Sequence, residues 1–257
     1  MARRHDELQR VMHADRALQR NKLQLYYQPI ICVTSSALEG MRYELMVRMP
    51  GDGGQMVAPG VFLPTVERFN LVPKFDRWVL DAALAWLTDH RAQLERTLHC
   101  IINLSGHWLV DDEVRRAVAQ QLQGPGVPAS KICFEITEAT AIVNMTQQAT
   151  GFIASLKAKD CQFSLDDFGS GLSLFAYLNN LSVGFLKIQW QFVKDTADDV
   201  ADLEMVRAIN GIGHVLGEKT FAEFVESKAI LERLCEIGVD YAQGCGIGRP
   251  RSLDEVA

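Results

Sequence analysis

The sequence predicts an α/β fold, a (β/α)8 TIM-like barrel with an antiparallel first strand. Three observations carry that expectation. Eight strand-like apolar runs are spread over about 250 residues, a length at which α/β barrels form one domain. Most of these runs are separated by helical periodicity, which argues for a parallel sheet. The first two runs are joined only by "TSSALEG", residues 34–40, and a parallel crossover needs a dozen or more residues. An open doubly wound sheet is the alternative arrangement of the same elements.

Taken in order, "HDELQRVMHADRALQRN", residues 5–21, reads as a charged helix with Leu8, Val11, Met12 and Leu18 on one face. We treat residues 1–21 as a connector helix and 22–257 as the barrel domain. The strand-like "LQLYYQPIICV" and "GMRYELMVRM" follow, then a loop of turn residues, "GDGGQMVAPG". Helical patterns come next, strongest in "KFDRWVLDAALAWLTDH". "LHCIINLS" is a strand, with a helix from about Asp111 to Gln123. "KICFEIT" is a strand before a helix over 139–157. "CQFSLDD" is a strand, followed by a short helical piece from Ser173 to Leu178. "VGFLKIQ", a helix from about Ala197 to Leu216, "KTFAEFVE", a helix over 227–237 and "VDYAQG" complete the pattern.

Composition bounds the function. The 257 residues are 48% hydrophobic and 23% charged, enough for a sizeable core. The net charge of −6 argues against a general nucleic-acid binder, although a small phosphate ligand remains compatible with it. Six cysteines form no C-x-x-C pair and mostly sit in apolar runs, so we read them as reduced and the compartment as cytoplasmic. No signal peptide and no run of 18 apolar residues is present, so no membrane partner is expected in this segment, which is also consistent with the cytoplasmic part of an anchored protein.

In a barrel the chemistry sits where strands end. Seven runs carry a polar group there: Glu44 in "YELM", Asn103 in "INLS", Glu135 in "FEIT", Asp166 and Asp167 in "LDD", Lys187 in "LKIQ", Glu223 in "FAEF" and Gln243 in "AQG". Each alone has an ordinary reading. Glu44 can pair with Arg48, Asn103 can cap a helix, and the aspartate pair can cap a helix beside a turn. Together they suggest one barrel mouth. Five carboxylates and an asparagine are hard oxygen ligands, suited to Mg2+ or Mn2+, and no histidine joins them, which disfavours zinc. Two cations ~4 Å apart suit in-line attack on a phosphodiester. For Asp166 and Asp167 to reach the same place the backbone must twist, because adjacent strand residues face opposite ways. Gly169 and Gly171 are the expected source of that turn.

The ordered motifs "YQPI", "YELMVRM", "INLS", "FEITE", "LDDFGSG", "LKI", "AEFVE" and "QG", from Tyr26 to Pro250, resemble the EAL domain of cyclic di-GMP signalling. The resemblance implies a barrel with an antiparallel first strand that cleaves cyclic di-GMP to linear pGpG with Mg2+ or Mn2+ and is inhibited by Ca2+. It implies Glu44, Asn103, Glu135 and Asp166 at one metal, Asp166, Asp167 and Glu223 at a second, and Lys187, Glu223 and Glu44 as the catalytic set. Gln28, Leu45, Arg48, Gln243 and Pro250 are implied ligand contacts, with the Arg48 fork on a phosphate. Glu138 is the implied anchor of the loop containing Gly169 and Gly171. A homodimer and an upstream sensory or GGDEF domain are also implied.

Departures from the family pattern are Phe224 for a glycine, Leu174 for a serine, Trp190 at a position usually small or polar, and Gln189 for an aspartate. Gln189 offers no charge, which weakens a second cation. Three functions follow: a phosphodiesterase, slow or not; a cyclic di-GMP receptor without competent chemistry; or an interaction domain with a vestigial pocket.

Overall fold

A computed structural model of the chain describes residues 2–34, 40–51, 53–122, 124, 126–144, 146–169 and 183–256. The strands are β1 (Gln24–Cys32), β2 (Met41–Pro50), β3 (Met56–Val57), β4 (Thr97–Asn103), β5 (Ile132–Thr137), β6 (Gln162–Phe168), β7 (Phe185–Ile188), β8 (Lys219–Ala222), β9 (Tyr241–Ala242) and β10 (Arg251–Ser252). Eight of them close a ring in the order β1–β2–β4–β5–β6–β7–β8–β9–β1. β1 runs antiparallel to both of its ring neighbours, β2 and β9. Every other pairing in the ring is parallel. The open-sheet alternative is therefore excluded. β3 and β10 add short antiparallel pairs outside the ring.

The helices are α1 (Ala2–Gln19), α2 (Pro59–Arg68), α3 (Val72–Asp89), α4 (Arg91–Arg96), α5 (His107–Val110), α6 (Asp112–Gln121), α7 (Glu138–Asn144), α8 (Gln147–Lys157), α9 (Trp190–Val193), α10 (Val200–Leu216) and α11 (Lys228–Ile237). The single helix expected over 139–157 is two, because the Thr146 hydroxyl accepts from the Ala149 N–H and starts α8 afresh. The expected piece from Ser173 to Leu178 lies outside the described residues.

Strand alternation sorts the core into two layers. Ile30, Ile101, Cys133, Phe185 and Phe221 point into the barrel, with Tyr241 against them. Their chain neighbours Ile102, Phe134 and Leu186 point outward, into the main core under the helices. A second cluster joins α1 to the barrel: Ala14 and Ala17 are buried with Met49, Phe62, Val66 and Phe75. Of the expected face, Leu18 packs against this cluster and Met12 does not. Met12 is 51% exposed, and small residues instead bring the helix close. All six cysteines are free thiols.

Opposite the polar strand ends, Asp240 ties the start of β8 to β9. Its carboxylate accepts from Thr220 N–H at 2.9 Å, Lys219 Nζ at 2.7 Å and His214 Nε2 at 2.8 Å. Burial pushes its pKa up, but these donors outweigh burial and hold it below the usual aspartate value. A depressed folded pKa contributes stability above the unfolded value of ~3.9 that is lost as pH falls through the folded one. Asp240→Ala is expected to cost about 1.5–3 kcal/mol at pH 7, with less difference from the parent in strong acid. Urea titrations at pH 7 and pH 3 check this; equal losses at both refute the charged role.

Candidate active site

One step further along each strand, the inward side chain changes from apolar to polar. Ile101 is followed by Asn103, Cys133 by Glu135, Phe185 by Lys187, Phe221 by Glu223 and Tyr241 by Gln243. In β1, which runs the other way, Ile30 is preceded by Gln28, whose register partner is Glu44. Asp166 holds the same place in β6. The upper layer is thus Gln28, Glu44, Asn103, Glu135, Asp166, Lys187, Glu223 and Gln243, one residue for each strand of the ring.

Lys187 stands at the centre, 1% exposed. Its ammonium is 2.5 Å from Glu223 Oε1, 2.7 Å from Glu135 Oε1, 3.4 Å from Glu44 Oε2 and 3.7 Å from Asp166 Oδ1. The Phe221 ring lies beneath it, 5.6 Å from centroid to Nζ. Amides fix Glu44 from the other side: Asn103 Nδ2 donates to Oε1 at 2.8 Å and Gln243 Nε2 to Oε2 at 3.0 Å. Gln243 also donates to Gln28 Oε1, and Gln28 donates to the Gly248 carbonyl. The amides are a positional relay, and the lysine is a charge hub.

The carboxylates differ accordingly. Burial pushes Glu44 up, but Lys187, Asn103 and Gln243 outweigh it and hold the acid below its ordinary value. Burial pushes Glu135 well above its ordinary range, with Asp166, Glu44 and Glu223 adding repulsion that Lys187 only partly offsets. Burial carries Glu223 up to about 7 against the pull of Lys187. Four acids around one cation leave the nest short of positive charge.

Among the described residues, no three His, Cys, Asp or Glu groups stand close enough to cage an ion by themselves, since the ammonium occupies their centre. The donor set nevertheless fits a hard divalent cation. Glu135 Oε2 and Gln243 Oε1 are buried without a hydrogen-bond partner. A buried carboxylate oxygen left in that state is costly. Oxygen donors with no nitrogen or sulfur among them suit Mg2+ or Mn2+.

The twist at the aspartate pair comes from a different residue than expected. Asp167 itself adopts φ 55°, and the register of β6 against β7 shifts between Leu165 and Phe168. Aspartate tolerates this left-handed region better than most side chains. The Asp167 N–H donates back to Asp166 Oδ1 at 2.8 Å, locking the bulge. Asp167 is not among the acids on Lys187; burial, then Asp166, raises its pKa. Gly169, at φ 100°, takes the next turn, and its N–H donates to Glu138 Oε2 at 3.1 Å. Gly171 lies outside the described residues.

Of the other implied contacts, Gln28 and Pro250 line the pocket beside Glu44, Glu223 and Gln243. Arg48 lies on the Glu44 face of β2, its guanidinium stacked 5.2 Å over Tyr26. Leu45 is a correction. It is 3% exposed and packs in the outer core, because strand alternation turns it away from Glu44; Met46 lines the pocket instead. Gln189 precedes α9 without a capping hydrogen bond from its side chain, and its Nε2 donates to Gln191 Oε1 at 3.0 Å. Gly244 is required: a Cβ there would run into the Val225 backbone, where the loops after β8 and β9 cross. Trp190 and Phe224, named in the sequence only as departures, form part of the pocket wall.

Known proteins share this arrangement. The EAL domain family model matches residues 12–250. Cyclic di-GMP phosphodiesterase PdeB of Shewanella oneidensis is 40% identical over 238 residues, covering 92% of this chain and 27% of that protein. Cyclic di-GMP phosphodiesterase PdeF of Escherichia coli is 30% identical over 252 residues, covering 96% and 32%. The chain thus spans about a third of the length of these relatives. The c-di-GMP complex of the PaMucR phosphodiesterase superposes with a TM-score of 0.85 at 30% identity, covering 97% of this chain and all of that one. The FimX EAL domain of Pseudomonas aeruginosa bound to c-di-GMP gives 0.84 at 28%, covering 94% and 96%. With a reversed first strand, an acid-lined mouth centred on a lysine, and a family match along nearly its whole length, the chain belongs to the EAL domain family.

Proposed function

We propose that this chain hydrolyses cyclic di-GMP to linear pGpG. The observation that carries the reading is the charge imbalance of the mouth: Glu44, Glu135, Asp166 and Glu223 converge on one ammonium, and Glu135 Oε2 has no partner. A divalent cation bound there would supply Lewis acidity toward a phosphoryl oxygen and toward the attacking water. Glu44, Asn103, Glu135 and Asp166 would hold one ion, and Asp166, Asp167 and Glu223 would hold a second. Mg2+ or Mn2+ supports turnover and Ca2+ inhibits it. Arg48, pre-oriented on Tyr26, receives a phosphate oxygen. Lys187 orients the attacking water and fixes Glu223, which takes the water proton. The new P–O bond forms as the bond to the 3′ oxygen breaks, and that oxygen takes a proton from solvent.

The phosphodiesterase works in the cytoplasm as a homodimer, with α1 as the connector from an upstream sensory or GGDEF domain. Among the described residues no helix is long and apolar enough to cross a membrane.

Product analysis with Mn2+ tests the reading, with binding measured in Ca2+. Catalytic release of pGpG supports it. Tight binding with the ligand intact makes the chain a receptor. Gln189 favours slow turnover, because its side chain carries no charge where a carboxylate would strengthen the second ion. Gln189→Asp is expected to raise kcat about ten-fold, one hydrogen-bonded charge restored to the second ion. Unchanged kcat at saturating Mn2+ means the second ion does not need this position.

A further inference from the structure

Two large aromatic side chains stand half-exposed on one wall of the same pocket: Trp190 at 38% and Phe224 at 43%. Their ring centroids are 5.4 Å apart with planes tilted by 47°. Phe224 holds φ 59°, a left-handed backbone in which a side chain is strained and glycine is not. Strain of this kind persists where surroundings enforce it, and it gathers at ligand clamps. The Lys194 ammonium lies 5.6 Å over the Trp190 ring and polarises it. The cavity beneath is about 250 Å3, smaller than pockets of ~300–1,000 Å3 that enclose a whole ligand. A cyclic dinucleotide would extend past it onto the rim, one side of which Trp190 and Phe224 form.

We propose that Trp190 and Phe224 are a base clamp: the indole stacks on one purine of the cyclic dinucleotide and Phe224 closes its edge, so that this pair sets affinity without touching the reacting phosphorus. The inference rests on the phosphodiesterase reading and adds positioning residues to it. A face-stacking wall is tolerant of base identity, because every base has a π-face.

The test compares Trp190→Ala, Trp190→Phe and Phe224→Gly in the full chain. Phe224→Gly relieves the strained φ, so its fold survives. Ca2+-supported binding of cyclic di-GMP and of cyclic di-AMP is titrated, and kcat and KM are measured with Mn2+. Trp190→Ala is expected to weaken binding about ten-fold or more, by a similar factor for both ligands. Trp190→Phe recovers most of it, and the loss lies in KM rather than kcat. Trp190 is the one exposed tryptophan of four, so its fluorescence is quenched as cyclic di-GMP binds. Binding by both Trp190→Ala and Phe224→Gly within about two-fold of the parent overturns the clamp and leaves the phosphodiesterase reading intact. A fall in kcat with unchanged binding also overturns it, since the rings would then act only by supporting Lys187 and Glu223. Failure of the parent chain to bind cyclic di-GMP at all removes both readings together.

Discussion

Glu44→Ala is expected to take cyclic di-GMP hydrolysis to background, a loss of about a thousand-fold or more in kcat, comparable with removing a principal transition-state stabiliser. Glu44 is held on one oxygen by Asn103 and on the other by Gln243 and Lys187. Its removal takes away a first-ion ligand and releases both amides. Metal affinity should fall with activity, and the melting temperature should fall as well, because the charged Glu44 is favoured in its site and its loss leaves the Asn103 and Gln243 amides without their acceptor. Calorimetric Mn2+ titration beside product analysis checks this. Full metal affinity with no turnover would move Glu44 from metal holding to catalysis alone, and retained turnover would sink the site assignment.

Lys187→Met has the other large effect, and it acts on the fold first. The substitution nearly conserves volume but strips the one ammonium that, among the described residues, pairs with four buried or partly buried acids. Removing one partner of a buried ion pair costs about 3–5 kcal/mol. We expect a loss of that size in metal-free buffer. Mn2+ should return about 2.7 kcal/mol at a hundred times its Kd, because an ion replaces the missing charge. Activity should stay low, since a cation in the lysine's place does not orient the water. Chemical denaturation with and without Mn2+ reads this directly. A metal-free variant as stable as the parent would mean that the acids are protonated and that the lysine is not their counter-ion.

The polar layer was legible because each of its members interrupts an apolar run at the same depth of a strand. Asn103, Glu135, Lys187, Glu223 and Gln243 needed no resemblance to be found. Gln28 did, since it sits inside its strand and reaches the mouth only because β1 is reversed. The reversal followed from the length of one link. Other features are set by three-dimensional fit. Asp167 bends the chain where glycines were the obvious candidates. Leu45 faces the core because parity overrules its place beside Glu44. Ala14 and Ala17, too small to stand out in a pattern of apolar residues, are what α1 buries. The meeting of Trp190 with Phe224 joins the first residue of α9 to the loop after β8, and neither stretch alone announces it.

The reversed first strand also sets a route for force. In a barrel of uniformly parallel strands, the chain would enter from the end remote from the chemistry. Here β1 begins at the mouth, so the turn after α1 lies beside the pocket. Its strand is zipped to β2 at seven successive positions from Gln24–Arg48 to Ile30–Arg42. The four residues between α1 and β1 therefore join the helix to a strand whose register partners include Arg48, Met46 and Glu44, while α1 also packs on α2.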